Sequence, residues 1–158
     1  MRRDFFTYLH NKMSKNEDIW VISIDLGYGG FDSIQRCYER RFINTGAAEQ
    51  SALDIACGLS LEGKIPFVYS ITPFLLYRGF ETIRTYINHE KLNVKLIGSG
   101  RDDDYGHDGF SHYAGDDDIF INNFENIKSF WPDDIKEMKR IVDQMIDDES
   151  PYYLNLKR

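Results

Sequence analysis

The sequence predicts an α/β domain with a mostly parallel sheet that is covered by helices on both faces. Short apolar segments alternate along the chain with segments whose apolar residues recur at helical spacing, and this alternation is typical of β-α-β units. Residues 19–24 are continuously apolar apart from one serine, as expected for a strand buried on both sides. No linker or repeat divides the chain, so residues 1–158 are expected to form a single domain.

Each predicted strand is a short apolar run, usually followed by glycine or polar turn residues. The predicted strands lie at residues 19–24, 41–43, 65–70, 92–97, 127–131 and 152–156. The predicted helices are marked by apolar stripes, and Pro73 suits the first turn of the third one. They cover residues 2–13, 47–62, 72–88 and 133–146, and a short helix or turn is expected at 31–38.

Composition and charge exclude several classes of protein. The net charge of −7 argues against a nucleic-acid or membrane surface, because such partners select basic patches. Cys37 and Cys57 are too few for a disulfide framework, and Cys57 is expected to be a reduced, buried thiol on a helix of small residues. The opening residues lack the continuous apolar run of a signal peptide, so a cytoplasmic protein is expected.

The most informative stretch is RFINTGAAEQSALDIACGLSLEGKIPFV at residues 41–68, where a short strand meets a glycine turn and a helix of small residues. Gly46 suits the backbone angles of a tight strand-to-helix turn. Glu49 follows in the first helical turn, which places a carboxylate at a strand end, where open α/β sheets bind ligands. The alternative is that Glu49 only complements the helix dipole, which contributes about 0.3–1 kcal/mol.

This stretch resembles the R-x-x-N-x-G-I-A-E-Q…A-x-G-L-A…G-x-x-P segment of the transketolase family, which belongs to the pyrimidine-binding domain of thiamine diphosphate enzymes. The resemblance implies the fold of that domain. It also implies that Glu49 hydrogen-bonds N1′ of the cofactor's aminopyrimidine ring and activates it. The Mg²⁺ ion of this family is held elsewhere, in the diphosphate-binding domain, by a G-D-G…N motif that this sequence lacks.

Ile71, Phe74 and Tyr77 recur every three residues, which by itself favours a place in the core. In the transketolase family an aromatic residue of the matching S-T-F-x-x-F stretch stacks on the pyrimidine. The resemblance therefore implies that Phe74 stacks on the cofactor ring and that Ile71 and Tyr77 border it. The following RGFETIR is similar to the R-A-F-D-Q-I-R of the family.

A long polar loop contains GHDGFSH, which resembles the G-x-D-G-x-T-H motif of the family. The resemblance implies that Asp108 and His112 bind substrate hydroxyls, and that His112 moves protons. Histidine suits proton transfer because it titrates near neutral pH. An isolated loop histidine would more often be merely solvated, and His107 receives no role.

Two other features favour structural interpretations. The loop at residues 25–30 carries three glycines and an aspartate, but its spacing matches no nucleotide fingerprint, so a flexible turn is favoured over a phosphate cradle. The aspartate runs at 102–104 and 116–118 fit no calcium loop, so solvated, mutually repelling carboxylates are favoured over a metal site.

The resemblance implies a split transketolase-like enzyme that acts on a small molecule, a ketose or a 2-oxo acid. This chain would be the pyrimidine-binding subunit, and a separate subunit of the N-terminal type would hold the diphosphate and the metal. A homodimer of this chain within a heterotetramer is expected. Gly100 stands where classical transketolases have a histidine that contacts cofactor and substrate, so a sugar phosphate substrate is not implied.

Three alternatives remain open. The chain could be the beta subunit of a 2-oxo acid decarboxylase or dehydrogenase, or a relative of deoxyxylulose-phosphate synthase, since both groups share the glutamate. The G-x-D-G-x-[ST]-H motif favours the transketolase and synthase branch. The third alternative is a catalytically silent scaffold subunit, in which the domain has been kept without the activity.

Overall fold

The computed structural model describes residues 1–158 and contains a six-stranded sheet in which every strand pairs in parallel with its neighbours. The strand order across the sheet is β2-β1-β3-β4-β6-β5. The strands are β1 at Ile19–Ser23, β2 at Phe42–Asn44, β3 at Ile65–Ile71, β4 at Lys95–Ser99, β5 at Lys128–Phe130 and β6 at Tyr152–Leu156. The predicted parallel sheet is therefore confirmed.

Helical segments connect the strands. The α-helices are α1 at Arg2–Met13, α2 at Asp32–Cys37, α3 at Glu49–Leu61, α4 at Thr72–Arg78, α5 at Phe80–Thr82, α6 at Asp117–Ile121 and α7 at Ile135–Asp147. A π-helix covers Ile83–His89, and short 3₁₀ turns lie at Glu39–Arg41, Gly106–Asp108 and Phe110–His112. None of these helices combines the length and the apolar character that crossing a membrane requires.

Helices cover both faces of the sheet, as predicted. Strand side chains alternate between the two faces, so neighbouring residues such as Val68 and Tyr69 belong to different cores. One core joins the sheet to α1, α2 and α7, and the other joins it to α3, α4 and the π-helix. Strands β1, β3 and β6 are mostly apolar, because both of their faces are buried, whereas the edge strands β2 and β5 are partly exposed.

The predicted helix at 72–88 is divided into three pieces. Gly79 separates α4 from α5, and a Cβ atom there would lie 2.0 Å from Cδ1 of Leu53 on α3. The helix can pack this closely on α3 only because residue 79 has no side chain. The prediction missed this break because helical periodicity continues across it.

Three further differences from the prediction concern β2, the long loop and β4. Strand β2 begins at Phe42, since Arg41 ends a 3₁₀ turn and donates hydrogen bonds from its guanidinium to the backbone oxygens of Met13, Asn16 and Ile19. The predicted long loop contains the short helix α6. Strand β4 begins three residues later than predicted, at Lys95, and ends at Ser99.

The topology creates a crevice at one end of the sheet. From β1 the chain first moves outward to β2 and then returns to β3 on the other side of β1. The loops that leave the carboxyl ends of β1 and β3 therefore diverge to opposite faces. Ligands of open α/β sheets bind at such a switch point.

Candidate active site

A small cavity of about 150 Å³ lies at the switch point between β1 and β3. A cavity of this size holds one six-membered ring, because an engineered protein cavity of about 150 Å³ binds benzene. Its walls come from the loops after β1 and β2, the start of α3, the end of β3 and one side of α4. The lining residues are Ile24, Asp25, Leu26, Ala47, Glu49, Ser70, Ile71, Phe74 and Arg78.

Glu49 reaches the cavity through the turn that follows β2. Gly46 has a φ of +65°, a conformation that favours glycine, and its N–H donates to Oδ1 of Asn44 at 3.0 Å. The same Asn44 oxygen accepts from the N–H of Asp25 at 3.2 Å, which joins the loops after β1 and β2. Glu49 is the first residue of α3 and is only 5% exposed, whereas a residue that merely complements the helix dipole needs no burial.

The only hydrogen-bond partner of the Glu49 carboxylate is Arg78. The distance from Arg78 Nη1 to Glu49 Oε1 is 2.6 Å, and the Arg78 side chain is half-exposed. The guanidinium carbon of Arg78 also lies 3.9 Å from the centre of the Phe74 ring. Arg78 begins the RGFETIR segment, but sequence reasoning gave it no role; the matching arginine of the family motif was the only available signal.

Phe74 lies at the cavity rather than in the protein interior. Its side chain is half-buried and belongs to neither hydrophobic core. The imidazole of His112 approaches it edge to face, with ring centres 4.8 Å apart. Ile71 lines the same cavity at the end of β3. The structure thus brings Glu49, Ile71, Phe74 and His112 to one place.

Tyr77 does not line this cavity. Its hydroxyl donates to Oδ1 of Asp116 at 2.7 Å, and its ring packs against Phe120 with ring centres 5.1 Å apart. Desolvation, followed by the hydrogen bond to the Asp116 carboxylate, raises the pKa of Tyr77. The Tyr77 side chain thus fastens α4 to the loop at residues 100–116, the histidine loop, which carries His112. A role for Tyr77 toward the cofactor stays a prediction.

His112 ends a 3₁₀ turn, and its Nδ1 lies 3.0 Å from Oγ of Ser111. Asp108 is exposed, and its carboxylate lies 3.2 Å from Nε2 of His107 rather than against His112. The two predicted substrate residues are therefore not in contact with one another. Their role toward substrate stays a prediction.

Asp117 anchors the histidine loop, and for this residue the interpretation as a solvated carboxylate is wrong. Its side chain is buried, and Oδ2 accepts hydrogen bonds from Tyr153 at 2.6 Å, from Trp131 at 2.9 Å and from the amide of Asn155. A buried carboxylate needs such donors to offset its lost hydration. No sequence signal separated Asp117 from its exposed neighbour Asp118, because the donors lie far along the chain.

The structure gives a reason for the glycine at position 100, where the resemblance implies a histidine. Gly100 has a φ of +87°, and a Cβ atom there would lie 2.3 Å from the ring of Tyr105. The Tyr105 hydroxyl contacts Ser99 Oγ at 3.0 Å and accepts from Arg2 at 2.7 Å. A histidine at position 100 would therefore require Tyr105 to leave this buried network.

Two buried titratable groups lie outside the cavity. Cys57 is a free, buried thiol as predicted, and burial followed by the nearby Asp54 raises its pKa to about 12. Lys95 is fully buried at the amino end of β4, where desolvation lowers its pKa to about 7. Its Nζ donates to the backbone oxygens of Asp148 at 2.8 Å and Ser150 at 2.6 Å.

The residues of the cavity fit an aminopyrimidine ring. Glu49 offers a buried carboxylate that can accept or share a proton with a ring nitrogen, and Phe74 offers an aromatic face. Both groups are held by a single half-exposed side chain, Arg78, that can move into solvent. No group of three or more histidine, cysteine, aspartate or glutamate side chains is arranged to hold a metal ion.

Comparison with known proteins agrees with this geometry. The family described as "Transketolase, pyrimidine binding domain" matches residues 2–158. The "Putative transketolase C-terminal section" of Methanocaldococcus jannaschii is 30% identical over 159 residues, which cover 100% of this chain and 50% of that protein. A protein of Actinobacillus succinogenes, named as one of the subunits of an apulose-4-phosphate transketolase, is 34% identical over 116 residues, which cover 73% of this chain and 37% of that protein.

A solved structure gives the same result. A split gene transketolase, described as an inactive β4 tetramer, superimposes with a TM-score of 0.87 and 32% identity, and the match covers 99% of this chain and 51% of that one. This chain therefore spans about half the length, or less, of the relatives that it matches.

The parallel sheet, with a buried carboxylate and an aromatic ring at its switch point, defines an α/β ligand-binding domain of the doubly wound class. Within that class the family is shown by the match over almost the whole chain. The chain belongs to the transketolase pyrimidine-binding domain family.

Proposed function

We propose that this chain is the pyrimidine-binding part of a split, thiamine diphosphate-dependent transferase of the transketolase type. The observation that carries the proposal is the pairing of the buried Glu49 carboxylate with the face of Phe74 in one ring-sized cavity. The family membership and the names of the relatives, several of which are subunits or sections of transketolases, support it. Thiamine diphosphate, when bound, supplies the thiazolium carbanion chemistry of this class of enzyme.

The residues of this chain would hold and activate the pyrimidine part of the cofactor. Glu49 would share a proton with ring nitrogen N1′, and its burial would keep water from competing for that contact. Phe74 orients the ring by stacking, and Ile71 closes the apolar wall. His112 would bind substrate hydroxyls and transfer protons, and its edge-to-face contact with Phe74 supports this assignment.

The diphosphate and Mg²⁺ would be held by a separate subunit. The described residues offer no carboxylate cluster for a metal ion, and the net charge of −7 disfavours an unneutralised diphosphate. Closed two-fold symmetry then favours a homodimer of this chain that recruits two partner subunits into a heterotetramer. The split-transketolase relative described as a β4 tetramer supports self-association of such chains.

The substrate class is a ketose or a 2-oxo acid. Relatives named as parts of apulose-4-phosphate transketolases favour the ketose. Gly100 stands where the resemblance implies a histidine that contacts cofactor and substrate in classical transketolases, and this difference favours a donor or acceptor other than theirs.

Calorimetry tests whether cofactor binding requires both this chain and a partner subunit. The purified chain is titrated with thiamine diphosphate and Mg²⁺, first alone and then with a partner subunit that carries the G-D-G…N motif. We expect no tight binding by the chain alone and tight binding by the assembled complex, together with transfer of a two-carbon unit between sugars. Micromolar binding by the isolated chain, or a complex that binds cofactor but catalyses no reaction of ketoses or 2-oxo acids, would contradict the proposal.

A further inference from the structure

We infer that Arg78 is a placeholder that occupies the pyrimidine position until the cofactor ring displaces it. This inference rests on the proposed function and adds a device that regulates the same cavity. Its basis is that one guanidinium group makes both of the contacts that the cavity offers to an aminopyrimidine. The two contacts are to Glu49 and to the face of Phe74.

The first contact satisfies the carboxylate. Glu49 Oε1 accepts from Arg78 Nη1 at 2.6 Å, and no other group of the chain donates to the Glu49 carboxylate. A buried carboxylate without a donor is costly, so Glu49 needs a cation or a hydrogen-bond donor at this point. Arg78 supplies both.

The second contact covers the aromatic face. The guanidinium carbon lies 3.9 Å from the Phe74 ring centre, which is the separation of two planar groups in van der Waals contact. No ring can enter between them at this distance. Stacking of a cofactor ring on this face of Phe74 and the observed position of Arg78 therefore exclude one another.

The backbone around Arg78 is fixed, so the side chain alone must move. Leu53 packs directly onto Gly79, and Thr82 donates to Asp54 Oδ1 at 2.7 Å, which ties α5 to α3 on the far side of that glycine. The Arg78 side chain is nevertheless 50% exposed. It can turn out into solvent without unpacking the core.

The placeholder has a consequence for assembly. In the free chain Arg78 already donates to Glu49 and covers the face of Phe74. A pyrimidine ring must replace these contacts, so its binding free energy gains only the difference between its own contacts and those of Arg78. The additional contacts that a partner subunit makes to the diphosphate and the metal would shift the equilibrium from the Arg78 contacts toward the bound cofactor. Arg78 thus restricts cofactor binding to the assembled enzyme.

The test is the affinity of the assembled complex for thiamine diphosphate with Mg²⁺, measured by calorimetry for wild type, Arg78→Met and Arg78→Lys. Methionine keeps much of the length of the side chain but loses the planar charge, so we expect a Kd lower by about three- to tenfold. Arg78→Lys keeps the charge without the planar stack, and its Kd should lie between the two. Arg84→Ala is the matched control, because Arg84 is exposed and forms no side-chain hydrogen bond.

A spectroscopic readout is independent of turnover. In the cofactor-free chain the Arg78 Nε–H resonance should carry a ring-current shift from Phe74, which disappears in Phe74→Ala and when cofactor binds to the complex. A resonance that keeps this shift in the cofactor complex would overturn the inference.

The affinities separate the inference from the proposed function. Weaker or unchanged binding by Arg78→Met, in a complex whose wild type binds cofactor, would overturn the placeholder and leave the proposed function standing. Absence of binding by wild type and Arg78→Met alike would overturn both.

Discussion

The hydroxyl of Tyr153 on β6 donates a 2.6 Å hydrogen bond to the carboxylate of Asp117 at the start of α6. This contact is buried and joins residues 36 positions apart in the chain. It fixes the end of the loop whose other part places His112 against Phe74. Burial, followed by the Asp117 charge, raises the pKa of Tyr153, so the tyrosine remains the donor.

Asp117→Ala should loosen the histidine loop and destabilise the fold. The change removes the shared acceptor of Tyr153, Trp131 and Asn155, and each buried unpaired donor costs about 1–3 kcal/mol. Urea denaturation measures the loss, and limited proteolysis reports cleavage in the loop. Asp118→Asn, at an exposed neighbouring position, is the control; equal stability of the two variants would contradict the anchoring role.

Glu49→Gln should preserve the fold and lower turnover of the assembled enzyme by about 100-fold or more, because an amide cannot share a proton with the ring nitrogen as a carboxyl group can. The isosteric amide can still accept from Arg78. Thermal melting checks the fold, and steady-state kinetics of the complex measure turnover. Activity within about twofold of wild type would remove Glu49 from the mechanism.

Phe74→Ala should weaken cofactor binding more than it destabilises the chain. Phe74 belongs to neither core, and an aromatic pair contributes about 0.5–1.5 kcal/mol beyond the burial of area. Phe67→Ala provides the contrast, since Phe67 is buried in one core and its loss should cost about 3–5 kcal/mol. Paired melts and cofactor titrations separate the two effects; similar losses of stability would make Phe74 a core residue.

His112→Ala should impair substrate turnover and spare deuterium exchange at C2 of the cofactor. The exchange depends on Glu49, whereas His112 is assigned to the substrate. Exchange is followed by NMR in the assembled complex, and His89→Ala, at an exposed position outside the loop that carries His112, serves as the control. Slow exchange combined with normal substrate turnover would mean that the two roles are reversed.

Lys95 should make stability rise with pH above neutrality. Desolvation lowers its folded-state pKa to about 7, while its unfolded-state value is about 10.4, so between these values only the unfolded chain keeps the proton. Fewer protons in the folded state mean that the free energy of unfolding increases with pH, by up to about 1.4 kcal/mol per unit. Below about pH 7 both states are protonated, and the penalty for burying the charge is fully present.

Thermal or urea unfolding between about pH 7 and 8 tests this dependence, in a range below the ionisation of tyrosine and of the Cys57 thiol in the unfolded chain. The groups that act on Lys95 are Asp148, Lys128 and Glu149, and its Nζ also lies 4.7 Å from the Tyr152 ring. Lys95→Met removes the titrating group, so the curve of the variant should be flatter than that of wild type. Parallel curves would show that Lys95 keeps its proton in the folded chain.

The sequence by itself determined the parallel α/β class and the strand, turn and helix that present Glu49. These features are local, because a two-residue or 3.6-residue periodicity and the conformation of Gly46 decide each of them within a short segment. The family motifs also singled out Phe74 and His112, whose ring centres lie 4.8 Å apart in the structure. The break at Gly79 escaped prediction, since helical periodicity continues across it and the close contact with Leu53 of another helix is not local in sequence.

Only the tertiary structure decided which side chains meet. Arg78 reaches Glu49 across 29 positions, Tyr77 turns toward Asp116 across 39 positions, and Asp117 is buried although Asp118 is exposed. Nothing in the local pattern distinguishes these partners, because strand order and loop closure bring together residues that are far apart in the chain. A carboxylate is solvated or buried, and a cavity is open or occupied, according to which donors the folded sheet brings within reach.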